Sequence, residues 1–227
     1  WLLILDTFFG IFFLYILLQV PDPPIIKEKH SMSFKNFLET TRLGFTLIKS
    51  NRNLFLLVLA SVFFTFAVGA KELLSQPSYV GLGTPLSYLG YIASISGFII
   101  FILPNLLLKW SKKYPKIIMV LFSLFEMLLI CSLFFVSSYI LFALLLTLSF
   151  LCGAVIAPAS DTIFQHNSKT EVRATAMSIY NMLLSIVYFV VFLSFGFLAE
   201  MFGAQEVLAL SGLFIIPSII CYCLIKE

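Results

Sequence analysis

Charge is the scarcest commodity in this chain. Only 11% of its 227 residues are Asp, Glu, Lys or Arg, whereas 61% are hydrophobic, and the mean hydropathy is +1.07. A soluble domain carries roughly 25% charged residues. So little charge cannot keep a surface wet, and one compact core cannot hide so much apolar area. A water-soluble enzyme, a disordered regulator and a nucleic-acid binder are thereby excluded. Metal-binding residues are also few. The four cysteines, Cys131, Cys152, Cys221 and Cys223, sit in apolar runs with no C-x-x-C pair, and His30 and His166 each stand alone. The cysteines read as small buried hydrophobes, and neither a metal centre, a disulfide framework nor a cofactor is expected. Missing too are a Ser-His-Asp set, a carboxylate pair and a phosphate-cradling Gly loop. The chain opens at Trp1 inside an apolar run, without a basic n-region or a cleavage site, so no signal peptide is read there and the sequence is expected to be part of something longer.

What is abundant is long apolar segments. A helix needs about 20 mostly apolar residues to cross a bilayer, and seven runs qualify: Trp1 to Val20, Leu54 to Leu74, Leu86 to Leu108, Ile117 to Val136, Tyr139 to Pro158, Ala174 to Ala199 and Val207 to Leu224. Pro21, Gln76-Pro77 and Pro158 are expected to end the runs before them. Ser137-Ser138 is expected to be a very tight turn. No run alternates as a transmembrane strand would. The fold class is therefore an all-α integral membrane protein.

Lys and Arg set the expected orientation. If residues 21–53 are cytoplasmic, every one of the 14 cations except Lys71 falls on the cytoplasmic side, including Lys109, Lys112, Lys113, Lys116, Arg173 and Lys226. The positive-inside bias then places the chain's N-terminus outside and Glu227 in the cytoplasm. The one long loop contains an amphipathic stretch, Ser33 to Ser50. Phe34, Phe37, Leu38, Phe45, Leu47 and Ile48 lie near one face, and Lys35, Glu39, Arg42 and Lys49 near the other. It is expected to lie on the cytoplasmic leaflet, or to serve only as a linker helix.

Six spans after a long basic loop, with one span before it, resemble the second half of a major facilitator superfamily transporter, entered near its sixth helix. Asp161 to Ser178, with its Glu171-Val-Arg173-Ala-Thr core, looks like the family's pattern before its eleventh helix. Gly196-Phe-Leu-Ala-Glu200-Met-Phe-Gly203 is similar to the end of that helix. The loop Asn105 to Tyr114 stands where the family has Gly-x-x-x-Asp-Arg-x-Gly-Arg-Arg. It departs from that motif, with Asn105, Lys109 and Trp110 at the Gly, Asp and Arg positions. The resemblance implies three parts: 1–20, the last helix of an N-terminal bundle; 21–53, the linker; and 54–227, a six-helix C-terminal bundle. It also implies a partner, the N-terminal six-helix half. The cavity between the two halves would be lined by the second, third, fifth and sixth spans.

Polar residues recur at helical spacing on three of those spans: Ser61, Thr65, Gly69, Glu72 and Gln76; Ser87, Tyr91, Ser94, Phe98 and Asn105; and Ser178, Asn181, Ser185 and Tyr188. Such stripes turn away from hydrocarbon toward protein or water. The cavity candidates are therefore Ser61, Thr65, Glu72, Tyr91, Ser94, Ser178, Asn181, Ser185 and Tyr188. Each hydroxyl can equally serve as glue between helices. Two further ionisable groups lie inside the membrane. Glu126, about 14 Å into its span, is expected to be protonated or hydrogen-bonded within the bundle, and Asp6 lies in the first span. Lys71 is expected at the outer interface, snorkelling to water. Gly90 and Gly97 read as a close-packing face.

An aromatic, weakly polar lining suits amphipathic or weakly polar solutes and does not clamp phosphates or dicarboxylates. The expected function is secondary transport across the plasma membrane by alternating access, in the manner of a drug-efflux-like bacterial permease of that family, with protons as the candidate coupling ion. The partners are then the lipid bilayer and a small-molecule solute, with no nucleic acid. Two alternatives stay open: a seven-helix receptor with its N-terminus outside, and a truncated product without transport activity.

Overall fold

The computed structural model describes residues 2–19, 34–168 and 170–226, and the side chains among them apart from 2–6, 9, 34–38, 40 and 170–172. The first half of the expected linker, Lys169, and the side chains of Asp6, Phe34, Lys35, Phe37, Leu38 and Glu171 lie outside that description. By contact the chain separates into two units, Trp1–Phe37 and Leu38–Glu227. The first contains helix α1, Leu2–Leu17, which at 16 residues is about 24 Å long.

The second unit is a helical bundle. It comprises α2 (Phe34–Ser50, from Leu38 on), α3 (Arg52–Gly81), α4 (Leu86–Lys113), α5 (Pro115–Ser132), α6 (Tyr139–Asn167), α7 (Thr170–Phe202), α8 (Ala204–Ser211) and α9 (Ile215–Leu224). Short 3-10 turns extend α5 through Phe135 and join α8 to α9 across Gly212–Phe214. Six helices among the described residues are long and apolar enough to cross a membrane, with α8 and α9 forming one continuous span. Residues 136–138 form the tight connection expected at Ser137-Ser138.

Two of the expected stops fail. α3 runs through Pro77 to Gly81, and α6 runs through Pro158 to Asn167. A proline removes one backbone donor and crowds the preceding turn. Membrane helices tolerate this because neighbouring groups satisfy the freed carbonyls. Near each proline a hydroxyl also bonds back to the carbonyl one turn before it, Ser78 Oγ to Leu74 O at 2.7 Å and Thr162 Oγ1 to Pro158 O at 2.8 Å, neither of them the carbonyl that the proline frees. The extensions matter: they put Lys71 well inside α3 and carry Asp161 on the wall of α6 instead of in a loop.

α3 is the hub, packing against α6, α7, α8 and α9, while α5 pairs with α6 and α9, and α4 lies along α6. Two glycines permit the closest approaches. A Cβ on Gly69 would lie 2.9 Å from Val191 Cγ1 and 3.3 Å from Tyr188 Cδ1, so α3 and α7 touch there. A Cβ on Gly212 would lie 2.9 Å from Cys131 Sγ, which seats the last span on α5. Gly90 and Gly97, by contrast, have nothing within 4 Å of where a Cβ would be, so the expected close-packing face of α4 meets no neighbour among the described residues.

Each end of the bundle is tied by polar side chains that satisfy helix termini. At one end Asn51 caps α3, accepting from the backbone N–H groups of Asn53 and Leu54, and donates to Asn167 O at 3.1 Å. Asn53 donates to Asn167 Oδ1 at 3.2 Å and to Lys226 O at 2.8 Å, joining α3, α6 and the chain's last residues. Arg173 closes the end of α6 through Gln165 O, Ser168 O and Ser168 Oγ at 3.1–3.2 Å. This is the end that collects Arg52, Lys109, Lys112, Lys113, Lys116 and Lys226. At the other end Gln205 Nε2 donates to Leu133 O and Val136 O at 2.7 and 2.6 Å. Gly203, at φ +96°, makes the left-handed corner between α7 and α8 that a side chain would strain.

α2 turns Gly44 and Ile48 inward, with Leu43 and Phe45 exposed. A Cβ on Gly44 would lie 2.5 Å from Ile179 Cδ1 and 3.2 Å from Thr175 Cγ2, so this helix sits directly on α7.

Candidate functional site

At the centre of the bundle lies an ion pair. Lys71 of α3 donates from Nζ to Glu126 Oε1 of α5, and the two side chains are 1% and 0% exposed. Their place follows from helical spacing. Lys71 shares the face of Ala67, Ala70, Leu74 and Ser78, all buried, and Glu126 shares one with Met119, Ser123 and Ile130, also buried. Lys71 is about 28 Å along α3 from Arg52, and Glu126 about 16 Å along α5 from Pro115. The expectation that Lys71 snorkels at an interface is therefore wrong. α3 continues for ten residues beyond it, and its ammonium is enclosed by the carboxylate, by Ser149 O at 3.4 Å and by the ring of Phe150, 4.7 Å to its centroid. Glu126 is, as expected, hydrogen-bonded within the bundle. Among the described residues its second oxygen, Oε2, has no hydrogen-bond partner, and neither do the buried hydroxyls of Ser123 and Ser149.

Two cavities lie along the bundle on either side of this pair. One, of about 320 Å³, is bounded by Ser75, Gln76 and Tyr79 of α3, Ile92 and Ser96 of α4, and Thr147 and Phe150 of α6. Phe150, the same ring that covers Lys71, is part of its wall. The other, of about 170 Å³, lies toward the cation-rich end. Its lining includes Ser61, Thr65, Gly153, Ser160, Asp161, Tyr180 and Tyr222. Tyr180 donates to Ser61 Oγ at 3.0 Å, linking α7 to α3 across this cavity.

The sequence candidates distribute unevenly around this centre. Ser61 and Thr65 are buried at the second cavity, each hydroxyl also donating to the carbonyl one turn back, at 2.9 and 2.7 Å. Glu72 is exposed beside the buried Lys71 and accepts from Tyr188 Oη at 3.4 Å, so α3 and α7 meet at that pair. Ser178, Asn181 and Ser185 are exposed along α7, and Ser185 Oγ donates to Asn181 O at 3.0 Å. Ser94 is exposed on α4 and donates to Gly90 O at 2.8 Å. Tyr91, 69% exposed, borders an apolar groove of about 360 Å³ between α4 and α6 with Tyr88, Ile95, Tyr139 and Ile140. Asp6 lies in α1, its side chain outside the described residues.

α4 and α7 together leave a large apolar and weakly polar face open. The most hydropathic stretch of α4 buries none of its residues within the chain, and that of α7 only 11%. The model of the Major Facilitator Superfamily matches residues 1–190 and 77–227, which together take in the whole sequence. The chain belongs to the Major Facilitator Superfamily. No curated protein and no solved structure matches it. Members of the superfamily are membrane transporters and not enzymes, and the all-helical bundle with six candidate spans and one additional helix agrees with that class. Family membership also sets aside the seven-helix receptor.

Sequence reasoning missed Lys71 as a partner of Glu126, and missed Tyr180, Tyr222, Gly153 and Asp161 as cavity residues. The helical face shared by Lys71, Ala67, Ala70 and Leu74 was a usable signal for the first. For the others, the false stop at Pro158 hid Asp161, and Gly153, Tyr180 and Tyr222 come together only through packing between helices.

Proposed function

We propose that this chain is the C-terminal half of a secondary active transporter that moves small amphipathic or weakly polar solutes by alternating access. The observation that carries the reading is the open face of α4 and α7, where Ser94, Ser178, Asn181 and Ser185 are exposed among large apolar side chains. Hydrocarbon is a poor solvent for these groups. A water-filled cavity closed by an N-terminal six-helix half accounts for both the polar stripe and its aromatic surroundings. The open face is weakly polar; the carboxylate of Glu72 beside it accepts from Tyr188, and Asp161 stands on the wall of the cavity at the cation-rich end. The face lacks the clustered guanidinium and ammonium groups that bind phosphates or dicarboxylates.

The cation-rich end of the bundle faces the cytoplasm in this reading, with α1 starting outside and the C-terminus inside the plasma membrane. Transport is efflux driven by protons. The test uses the complete protein reconstituted in proteoliposomes, with ethidium as an amphipathic probe. An imposed pH gradient should drive ethidium movement that a protonophore abolishes. Flux equal to that of protein-free liposomes would overturn the reading.

A further inference from the structure

From the geometry around Lys71 and Glu126 we infer that Glu126 is the proton-binding site of this transporter, and that Lys71 converts its charge state into a choice between the two cavities. The inference rests on the proton-driven transporter reading above.

Three observations converge. First, the pair sits between cavities that approach it from opposite ends of the bundle: one bounded by Phe150, which lies over Lys71 Nζ, and one bounded by Gly153. Second, Gly153 of that lining adjoins the carboxyl. A Cβ there would stand 3.9 Å from Glu126 Oε2 and 4.0 Å from Oε1, so with only hydrogen on Gly153 the carboxyl lies just behind the lining of the polar cavity. Third, among the described residues Oε2 is the oxygen without a partner, while Oε1 is held by Lys71. A carboxylate with one oxygen engaged and the other buried beside a polar cavity has a lone pair where a proton can be received.

The titratable groups that interact with Glu126 are Lys71 on α3, Cys152 on α6 and Tyr222 on α9, while Asp161 of α6 lies on the polar cavity about two turns beyond Gly153. Of the three that interact with it the charged one is Lys71. The charged groups of α4 and α8, namely Lys109, Lys112, Lys113 and Glu206, lie near helix ends. The proton balance is therefore local. Hydronium in the polar cavity gives its proton to Oε2, an O–H bond forms and water is left. The buried pair thereby gains one net positive charge. An uncompensated ammonium is costly in a low-dielectric interior. The protonated state therefore favours an arrangement in which Lys71 reaches water. The cavity past Phe150 is on that side, with Ser75 one helical turn beyond Lys71 on its lining. When the proton leaves, the pair reforms and closes the path. A staple that only holds helices together needs no cavity on either side and no unpartnered oxygen.

The experiment follows proton uptake and transport separately in the complete protein. Infrared difference spectra of the lipid-reconstituted protein, without any solute, are recorded across a pH jump. A carbonyl-stretch band of a protonated buried carboxyl should appear on acidification, vanish in Glu126→Gln and shift in Glu126→Asp, which keeps the pair and serves if the amide variant does not fold. A band unchanged in these variants, or no such band while the protein stays folded, would overturn the inference. In proteoliposomes with ethidium, Glu126→Gln should lose flux driven by the pH gradient and keep exchange down the ethidium gradient. Proton-driven flux that survives in Glu126→Gln, or is restored in Lys71→Met/Glu126→Leu, would reduce the pair to packing. A wild-type protein that shows the Glu126 band but no proton-driven flux would refute the transporter reading and leave the proton site standing.

Discussion

Lys71 and Glu126, 55 positions apart in sequence, meet at the centre of the bundle with both side chains removed from solvent. Removing one partner leaves the other buried without its counter-charge, which costs about 3–5 kcal/mol in comparable pairs, whereas replacing both by apolar residues of similar size is neutral or stabilising. Lys71→Met alone should therefore lower thermal stability in detergent sharply, and Lys71→Met/Glu126→Leu should return it to the wild-type range. Equal losses in the single and double variants would contradict the burial of the pair.

Gly69 and Gly196 make a second comparison. A methyl at Gly69 intrudes on Val191 and Tyr188, while one at Gly196 meets nothing within 4 Å. Gly69→Ala should destabilise by about 1–3 kcal/mol through overpacking. Gly196→Ala should leave stability unchanged or raise it by up to about 1 kcal/mol, the helix-propensity gain. Thermal unfolding of the two variants side by side decides it, and the reverse order would place α7 elsewhere.

Orientation is tested at the two ends of α4 and α5. Lys112 lies at the cation-rich end, and Phe135, 85% exposed, at the other. In a background with Cys131, Cys152, Cys221 and Cys223 replaced, Phe135→Cys should react with an impermeant thiol reagent in intact cells. Lys112→Cys should react only after permeabilisation. The opposite pattern would invert the topology.

Asn181 separates solute contact from packing. Its side chain is exposed on α7, so Asn181→Leu should change stability by no more than about 0.5 kcal/mol. Ethidium affinity in the complete protein should nevertheless change. A large loss of stability with unaltered affinity would make Asn181 an inter-half packing residue.

The bundle itself was legible because lipid demands it. Apolar runs of the right length and the turn at Ser137-Ser138 are local features, and each maps onto an observed element. Helix ends were less legible where proline was read as a stop. Pro77 and Pro158 sit inside helices, α3 and α6, that continue past them, as membrane helices tolerate. The error had a consequence, since ending α3 near Leu74 moved Lys71 to an interface it does not occupy. The ties among Asn51, Asn53, Asn167 and Lys226 were invisible for another reason: they join residues more than 100 positions apart, and an Asn at a helix end signals a cap without naming its distant partner. The polar stripe of α7 was legible as a pattern, and the structure places Ser178, Asn181 and Ser185 on the exposed side of that helix.

The central claim is that this exposed side lines a water-filled solute cavity in the complete protein. It is tested most directly by single cysteines at Ser178, Asn181 and Ser185, in the cysteine-replaced background, treated with a water-soluble maleimide in reconstituted membranes. The account predicts that all three react, and that ethidium slows the reaction at Asn181. Cysteines that stay unreactive, as they would in contact with lipid or packed protein, or that react at a rate ethidium does not alter, would contradict it.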